Sequence, residues 1–335
     1  MIFPSASLYG GCAPEDKMKK QFIRDLAENA QVNDVFLAYD VQKRTNRDGS
    51  FYLTMMLRDR TGSMRAILWA YNEREHGSIP HEGYVLVRGT VGEYNRAPQM
   101  RLVSVAPAPE KDLDSAEFLP ESSMDAEEVI GRLHGLAGEI ADAHLSKLIE
   151  SFLSDAEFMK EFRRAPAAVS IHHAYIGGLM EHTLNVALVA KALSQVYPGA
   201  DKDLLIAGAI LHDAGKIREY DYMTAFRFST EGRLKGHHVL GCEIVRDAAR
   251  KIPGFPGELL MKLEHIILSH HGTKEWGSPV EPMFTEAMLL HCSDLIDARH
   301  HVYANAEPEP AGNGWSSYDR QLGHYIYLGP DGESE

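Results

Sequence analysis

Ile210-Leu211-His212-Asp213-Ala214-Gly215-Lys216 closes an apolar run, Leu204 to Leu211, with an imidazole and a carboxylate side by side. Further donors stand at wide intervals on either side: His182 comes 30 residues before His212, His237 comes 24 after Asp213, and His270-His271 and Asp294 follow. A single histidine in a chain with 17 of them is more often a core or surface residue than a ligand. The set reads differently, because its members lie on or beside separate predicted helices, and helices projecting ligands inward are a standard way to hold two metals. Imidazole nitrogens and carboxylate oxygens suit Mn, Fe, Co, Ni or Zn. Asp294 sits in the apolar stretch Leu289 to Ile296, where an unpaired acid would be costly to bury. The candidate metal ligands are therefore His182, His212, Asp213, His237, His270, His271 and Asp294, with Asp213 as the bridge and Asp297 one turn further out; in the pairs His237-His238 and His270-His271 one histidine is open as the ligand and its neighbour as a phosphate contact or hydrogen-bond donor.

Outward from this segment the pattern is helical. Ala137 to Phe152, Leu179 to Val196, Lys202 to Leu211, His238 to Lys251, Pro256 to Leu268 and Pro282 to His301 carry apolar residues at helical spacing. Before them, Ala108 to Asp125 holds proline, serine and acids without periodicity and reads as a linker. Earlier still the period changes to that of strands: Asp34 to Arg44, Phe51 to Asp59, Gly62 to Trp69, Tyr84 to Tyr94 and Gln99 to Val105 are divided by turn signals such as Arg60-Thr61-Gly62. Five short strands suggest a small closed barrel of the OB type. The expected class is thus α+β, a five-stranded OB-fold barrel followed by an all-helical domain. The expected divisions are an amino-terminal extension over 1–30, the barrel over 31–107, the linker over 108–125, the helical domain over 126–305 and a tail over 306–335.

The net charge of -14 argues against a polyanionic partner until its distribution is considered. Between Val41 and Arg101 ten basic residues face six acidic ones, so this segment is positive in an acidic chain. A local basic face can bind nucleic acid. Small barrels bind single strands through such a groove and aromatic platforms. The candidates are Lys43, Arg44, Arg58, Arg65 and Arg96 with Tyr71 and Tyr94, while strand alternation assigns Phe51 and Trp69 to the core. Three distant cysteines exclude a disulfide framework, and Cys242 and Cys292 are expected in the core. With no apolar run of membrane-spanning length and no secretory start, a cytoplasmic protein without a membrane partner is expected; a homo-oligomer is left open.

The helical domain resembles the HD superfamily of metal-dependent phosphohydrolases. The segment Ala165 to Thr183, with Pro166, His172-His173, Gly177-Gly178-Leu179 and Glu181-His182-Thr183, is more specific. Together with the barrel and the tail around Trp315, it resembles the YhaM family of 3'→5' exoribonucleases over roughly residues 20 to 329. The resemblance implies that His182, His212, Asp213 and Asp294 serve one metal position, and that Asp213, His237 and the His270-His271 pair serve the second. It implies two divalent ions, with Mn²⁺ the expected occupant and Co²⁺, Fe²⁺, Ni²⁺ and Zn²⁺ the alternatives. Lys216 is implied as a phosphate contact beside Asp213, and one of His172 and His173 is expected to approach substrate. The expected activity is 3'→5' hydrolysis of single-stranded RNA, with DNA as a further substrate, by metal-activated water. Two rivals stand beside it: an HD phosphohydrolase for a nucleotide or cyclic dinucleotide, and a noncatalytic nucleic-acid module with a structural ion. Gly272 to Pro279 lacks the Gly-Tyr-Pro expected of the cyclic-dinucleotide branch.

Overall fold

A computed structural model describes residues 19–330 apart from 47, 77, 95–96, 110–112, 115–116, 123, 169–174, 223–226, 307, 310–312 and 320–321. The chain divides into two compact units after Phe118.

The first unit is a closed barrel. Strands β1 (Gln31–Thr45), β2 (Phe51–Asp59), β3 (Gly62–Leu68), β4 (Gly83–Tyr94) and β5 (Ala97–Pro107) run in the order β1-β2-β3-β5-β4, with β4 returning to β1. All pairs are antiparallel except β3 with β5. A register shift between Tyr39 and Gln42, where Asp40 takes φ 51°, bends the long β1 so that it pairs with both β2 and β4. Alternate residues point inward: Leu53, Met55 and Leu57 on β2 and Met64, Ala66 and Leu68 on β3 join Phe36, Val85, Val87 and Met100 in the core.

Two segments read as peripheral are anchored to this barrel. Within the expected extension, Ile23 enters the core and its N–H donates to Asp59 Oδ2 at 2.7 Å. Within the expected linker, Phe118 is fully buried with its ring 4.7 Å from that of Tyr84, and Arg60 N–H donates to the Glu117 carbonyl at 3.1 Å. Neither segment has strand periodicity, so composition alone hid these single apolar anchors.

The second unit comprises α2 (Ala126–Ala137), α3 (Ala143–Leu153), α4 (Ala156–Phe162), α5 (Gly178–Val196), α6 (Lys202–Leu211), α7 (Lys216–Glu219), α8 (Thr230–Ala249), α9 (Gly257–Ser269) and α10 (Thr285–Ala304), after a single-turn α1 (Glu73–His76) in the first unit. A ribbon of two-residue strands, β6 (Tyr220–Asp221) and β7 (Arg227–Phe228), corrects the all-helical expectation. The helix expected over 137–152 begins only at Ala143, because Asp142 caps α3 by accepting from His144 N and Leu145 N. Asp125, Asp155 and Asp201 cap α2, α4 and α6 in the same way. Helix α6 is the axis of the unit: every residue from Leu204 to Leu211 is buried, and α5, α9 and α10 pack around it. At Gly208 a side chain would meet Ile266 at 3.0 Å, so α6 and α9 approach closely there. Cys242 is buried as expected, whereas Cys292 is only partly covered. No helix among the described residues is long and apolar enough to cross a membrane.

Candidate metal centre and nucleic-acid face

Helix ends bring the donors together. His182 lies in the first turns of α5, His212 caps the carboxyl end of α6, His237 follows a break in α8, His270 caps α9, and Asp294 and Asp297 stand one turn apart on α10. His212 keeps helical φ/ψ as the cap of α6, and its side chain still reaches that of its neighbour, with His212 Nε2 3.3 Å from Asp213 Oδ2. His182 Nε2 lies 3.2 Å from His212 Nε2, 3.4 Å from Asp213 Oδ2 and 3.2 Å from Asp294 Oδ1. On the other side, Asp213 Oδ1 faces His270 Nε2 at 3.5 Å and His237 Nε2 at 3.7 Å. Lys216 is buried, with Nζ 2.6 Å from Asp213 Oδ2.

The opposite ring nitrogen of each histidine is held by an acceptor. Nδ1 of His182 meets Asp297 Oδ2 at 2.7 Å, and that of His237 meets Glu219 Oε1 at 3.1 Å. The Nδ1 atoms of His212, His270 and His271 meet the carbonyls of Ala209, Ile267 and Trp276 at 2.8, 2.8 and 3.0 Å. Acceptors at Nδ1 select the tautomer that leaves the Nε2 lone pair for a ligand.

Electrostatics support the same assignment. Burial alone would raise Asp213, but Lys216, His212 and His182 outweigh it and hold the carboxyl well below the usual range; Asp294 is likewise depressed against its burial by His182. Burial would lower His182, yet the carboxylates of Asp213, Asp294 and Asp297 raise it well above an ordinary imidazole. His238, His270 and His271 are pushed down chiefly by burial and stay neutral, the ligating form.

The residues fit divalent ions. Among the described residues, Asp213 Oδ1 and the Nε2 atoms of His237, His238 and His270 are buried without a hydrogen-bond partner, a costly state that a cation would relieve. Two groups, His182-His212-Asp213 and His237-His238-His270-His271, each present ligand atoms within 4.8 Å of one another.

On the barrel, strand alternation sorts the basic candidates. Arg44 pairs in register with Tyr52, and Tyr52, Arg58 and Arg65 alternate with inward residues, so all four share the outer face. Trp69, just past β3, stacks on Tyr52 with ring centroids 5.3 Å apart. Trp69 is 57% exposed and Phe51 43%, whereas Tyr71 is only 9% exposed. These three reverse the expectation: Trp69 continues the outward parity of Arg65, Phe51 is the exposed first residue of β2, and Tyr71, whose N–H donates to the Phe51 carbonyl at 2.9 Å, joins the barrel core. Lys43 lies at that end, 4.3 Å from the Phe51 ring centroid, in a cleft of about 740 Å³ shared with Tyr71 and Glu73. Tyr94 is exposed at the end of β4, apart from the Tyr52–Trp69 stack.

Residues 179–299 match the HD domain family model, and residues 39–107 match the OB-fold nucleic acid binding domain. The 3'-5' exoribonuclease YhaM of Oceanobacillus iheyensis is 32% identical over 78% of this chain and 82% of its own length. The chain belongs to the YhaM family of 3'-5' exoribonucleases. The YhaM proteins of a Geobacillus species and of Bacillus subtilis are 33% and 32% identical, each over 82% of this chain and over 85% and 87% of their own lengths.

In this YhaM-family chain, Asp213 stands within 3.7 Å of His182, His212, His237 and His270, Asp294 joins the cluster through His182, and His271 lies beside His237 and His270. His172, His173 and Arg96 lie outside the described residues. Sequence reasoning missed Glu219 and left open which of His237 and His238 is a ligand. Glu219 carried no local signal, being one of four residues in a single-turn helix; His238 was signalled by adjacency to His237 alone.

Proposed function

We propose that the chain is a divalent-metal-dependent 3'→5' exoribonuclease that shortens single-stranded RNA at a two-ion centre and reads its substrate through the outer face of the barrel. The observation that carries this reading is the divided carboxylate of Asp213, with Oδ2 turned toward His182 and His212 and Oδ1 toward His237 and His270. The inner position would use His182, His212, Asp213 and Asp294, and the outer one Asp213, His237, His270 and His271. Divalent ions bound there supply an activated nucleophile and neutralise charge growing on the phosphoryl oxygens. Lys216, fixed beside Asp213, adds positive charge at the same place and is suited to a nonbridging phosphate oxygen. Asp297 and Glu219 orient His182 and His237 from behind.

The barrel supplies the reason to act on a polymer. The Tyr52–Trp69 stack offers a surface to bases, and Arg44, Arg58 and Arg65 offer charge to phosphates. Hydrolysis of a nucleotide or cyclic dinucleotide is disfavoured, because the similarity to YhaM relatives, over 263 and 277 residues, is longer than the helical unit alone.

Full-length protein with Mn²⁺ is expected to shorten 5'-labelled single-stranded RNA stepwise from the 3' end. Asp213→Asn should abolish this without changing the thermal transition. DNA, a cyclic dinucleotide and a nucleoside triphosphate run in parallel separate the substrate classes. RNA that survives intact with every divalent ion tried overturns the proposal.

A further inference from the structure

Gly236 takes φ 72° and ψ 156° inside α8, so the chain restarts its helix at His237 rather than passing through it. The restart is pressed against the His-Asp turn: a side chain on Gly215 would lie 2.0 Å from the His237 carbonyl oxygen and 2.6 Å from Gly241 N. Two consecutive imidazoles are thereby held at one place. The His238 ring centroid lies 4.1 Å from that of His237, 4.7 Å from that of His270 and 4.6 Å from that of His271. His238 is 7% exposed, and its Nε2 has no hydrogen-bond partner among the described residues. One ligand atom from each of the four histidines lies within 4.8 Å of the others.

Packing does not account for this side chain. A residue needed only to fill space against His270 would be apolar, since a buried ring nitrogen without a partner opposes folding. A histidine recruited for a hydrogen bond would have made one. Coordination explains both the burial and the unpaired nitrogen, and a ring nitrogen of His238 lies among three other imidazoles whose Nδ1 atoms are held from behind.

We propose that His238 is a metal ligand of the outer position, making it a four-imidazole site completed by Asp213 and selective for nitrogen-preferring ions such as Co²⁺ over Mg²⁺. The inner position has two carboxylates, Asp213 and Asp294, with two imidazoles, and so tolerates oxygen-preferring ions better. The inference rests on the two-ion centre and not on the RNA reading, so an inactive nuclease leaves it standing.

Full-length protein stripped with chelator is titrated with Co²⁺, followed by calorimetry and visible absorption. The wild type should take up two equivalents. His238→Phe keeps an aromatic ring against His270 but has no lone pair. It should weaken one equivalent more than about tenfold and alter its d–d spectrum, leaving the other equivalent and the Mg²⁺ titration unmoved. Two equivalents bound with unchanged affinity and spectrum overturn the proposal, as does a single equivalent that is the same in wild type and variant. If His238→Phe does not fold, anomalous diffraction from the Co²⁺-loaded wild type decides: Nε2 of His238 about 2.1 Å from an ion supports the assignment, and a separation beyond about 3 Å overturns it.

Discussion

Glu219 holds His237 at two points, its Oε1 accepting from the backbone N–H at 2.9 Å and meeting Nδ1 at 3.1 Å. Burial would raise the Glu219 carboxyl, but its hydrogen bonds with His237 outweigh that and keep it ionised. The pair therefore fixes both where the imidazole sits and which nitrogen faces Asp213. Glu219→Ala should weaken one bound divalent ion by about 10–100-fold, with Glu219→Gln, which can still accept from Nδ1–H, falling between. Calorimetric titration of the stripped protein checks this. Equal affinities in all three chains would remove Glu219 from the centre.

The turn after His212-Asp213 has no room for a side chain at Gly215, where both of the closest atoms, His237 O and Gly241 N, belong to backbone that cannot rotate away. Gly215→Ala should cost about 1–3 kcal/mol or more and loosen metal binding together with stability. Gly131, on an exposed face of α2 where an added Cβ would have nothing within 4 Å, behaves oppositely. There, Gly131→Ala should stabilise by roughly 0.5–1 kcal/mol through helix propensity. Denaturant titration of both variants tests the contrast, and two shifts of the same sign would contradict it.

On the barrel, Trp69→Ala removes the exposed half of the Tyr52 stack. Binding of single-stranded RNA should weaken by about 1–3 kcal/mol, appearing as a raised KM with kcat nearly constant. Arg44→Ala should instead lower the salt dependence of binding by about 0.7 in log–log slope, the share of one phosphate on a single strand. Fluorescence anisotropy over a salt series separates the two. An unchanged RNA affinity in Trp69→Ala would move the binding surface elsewhere.

The uneven success of sequence reading has physical causes. The barrel strands showed themselves because Leu53, Met55 and Leu57 alternate with outward residues, and the candidate donor cluster because polar side chains interrupt apolar helices at His212, His270 and Asp294. What escaped notice depends on neighbours distant in sequence. Phe51 and Trp69 look like core residues by type, yet Trp69 stays outside beside Tyr52 and Phe51 is exposed at the start of β2, while Tyr71 fills the core place. Glu219 is buried by its contact with His237, 18 residues on, which no periodicity within the single-turn α7 could announce.

Lys19 shows how the same long-range burial creates a pH signature. Its ammonium lies 3.4 Å from the Phe36 ring centroid and donates to the Val35 carbonyl at 2.6 Å, with Asp34 and Asp59 within 3.9 Å. Burial pulls its pKa from 10.5 down to about 8, although Asp34, Asp59 and Glu117 act to raise it. Below about pH 8 the lysine is protonated in both the folded and the unfolded chain, so the cost of burying its charge is constant. Between about pH 8 and 10.5 the folded chain has released a proton that the unfolded chain still binds, so this residue's contribution to stability rises with pH. The rise should reach about 3 kcal/mol by the upper end of that window. Lys19→Met lacks the titrating group, and the unfolding free energy of the wild type minus that of the variant should therefore increase across the window. A flat or falling difference would mean that Asp34, Asp59 and Glu117 keep the lysine charged at its ordinary pKa.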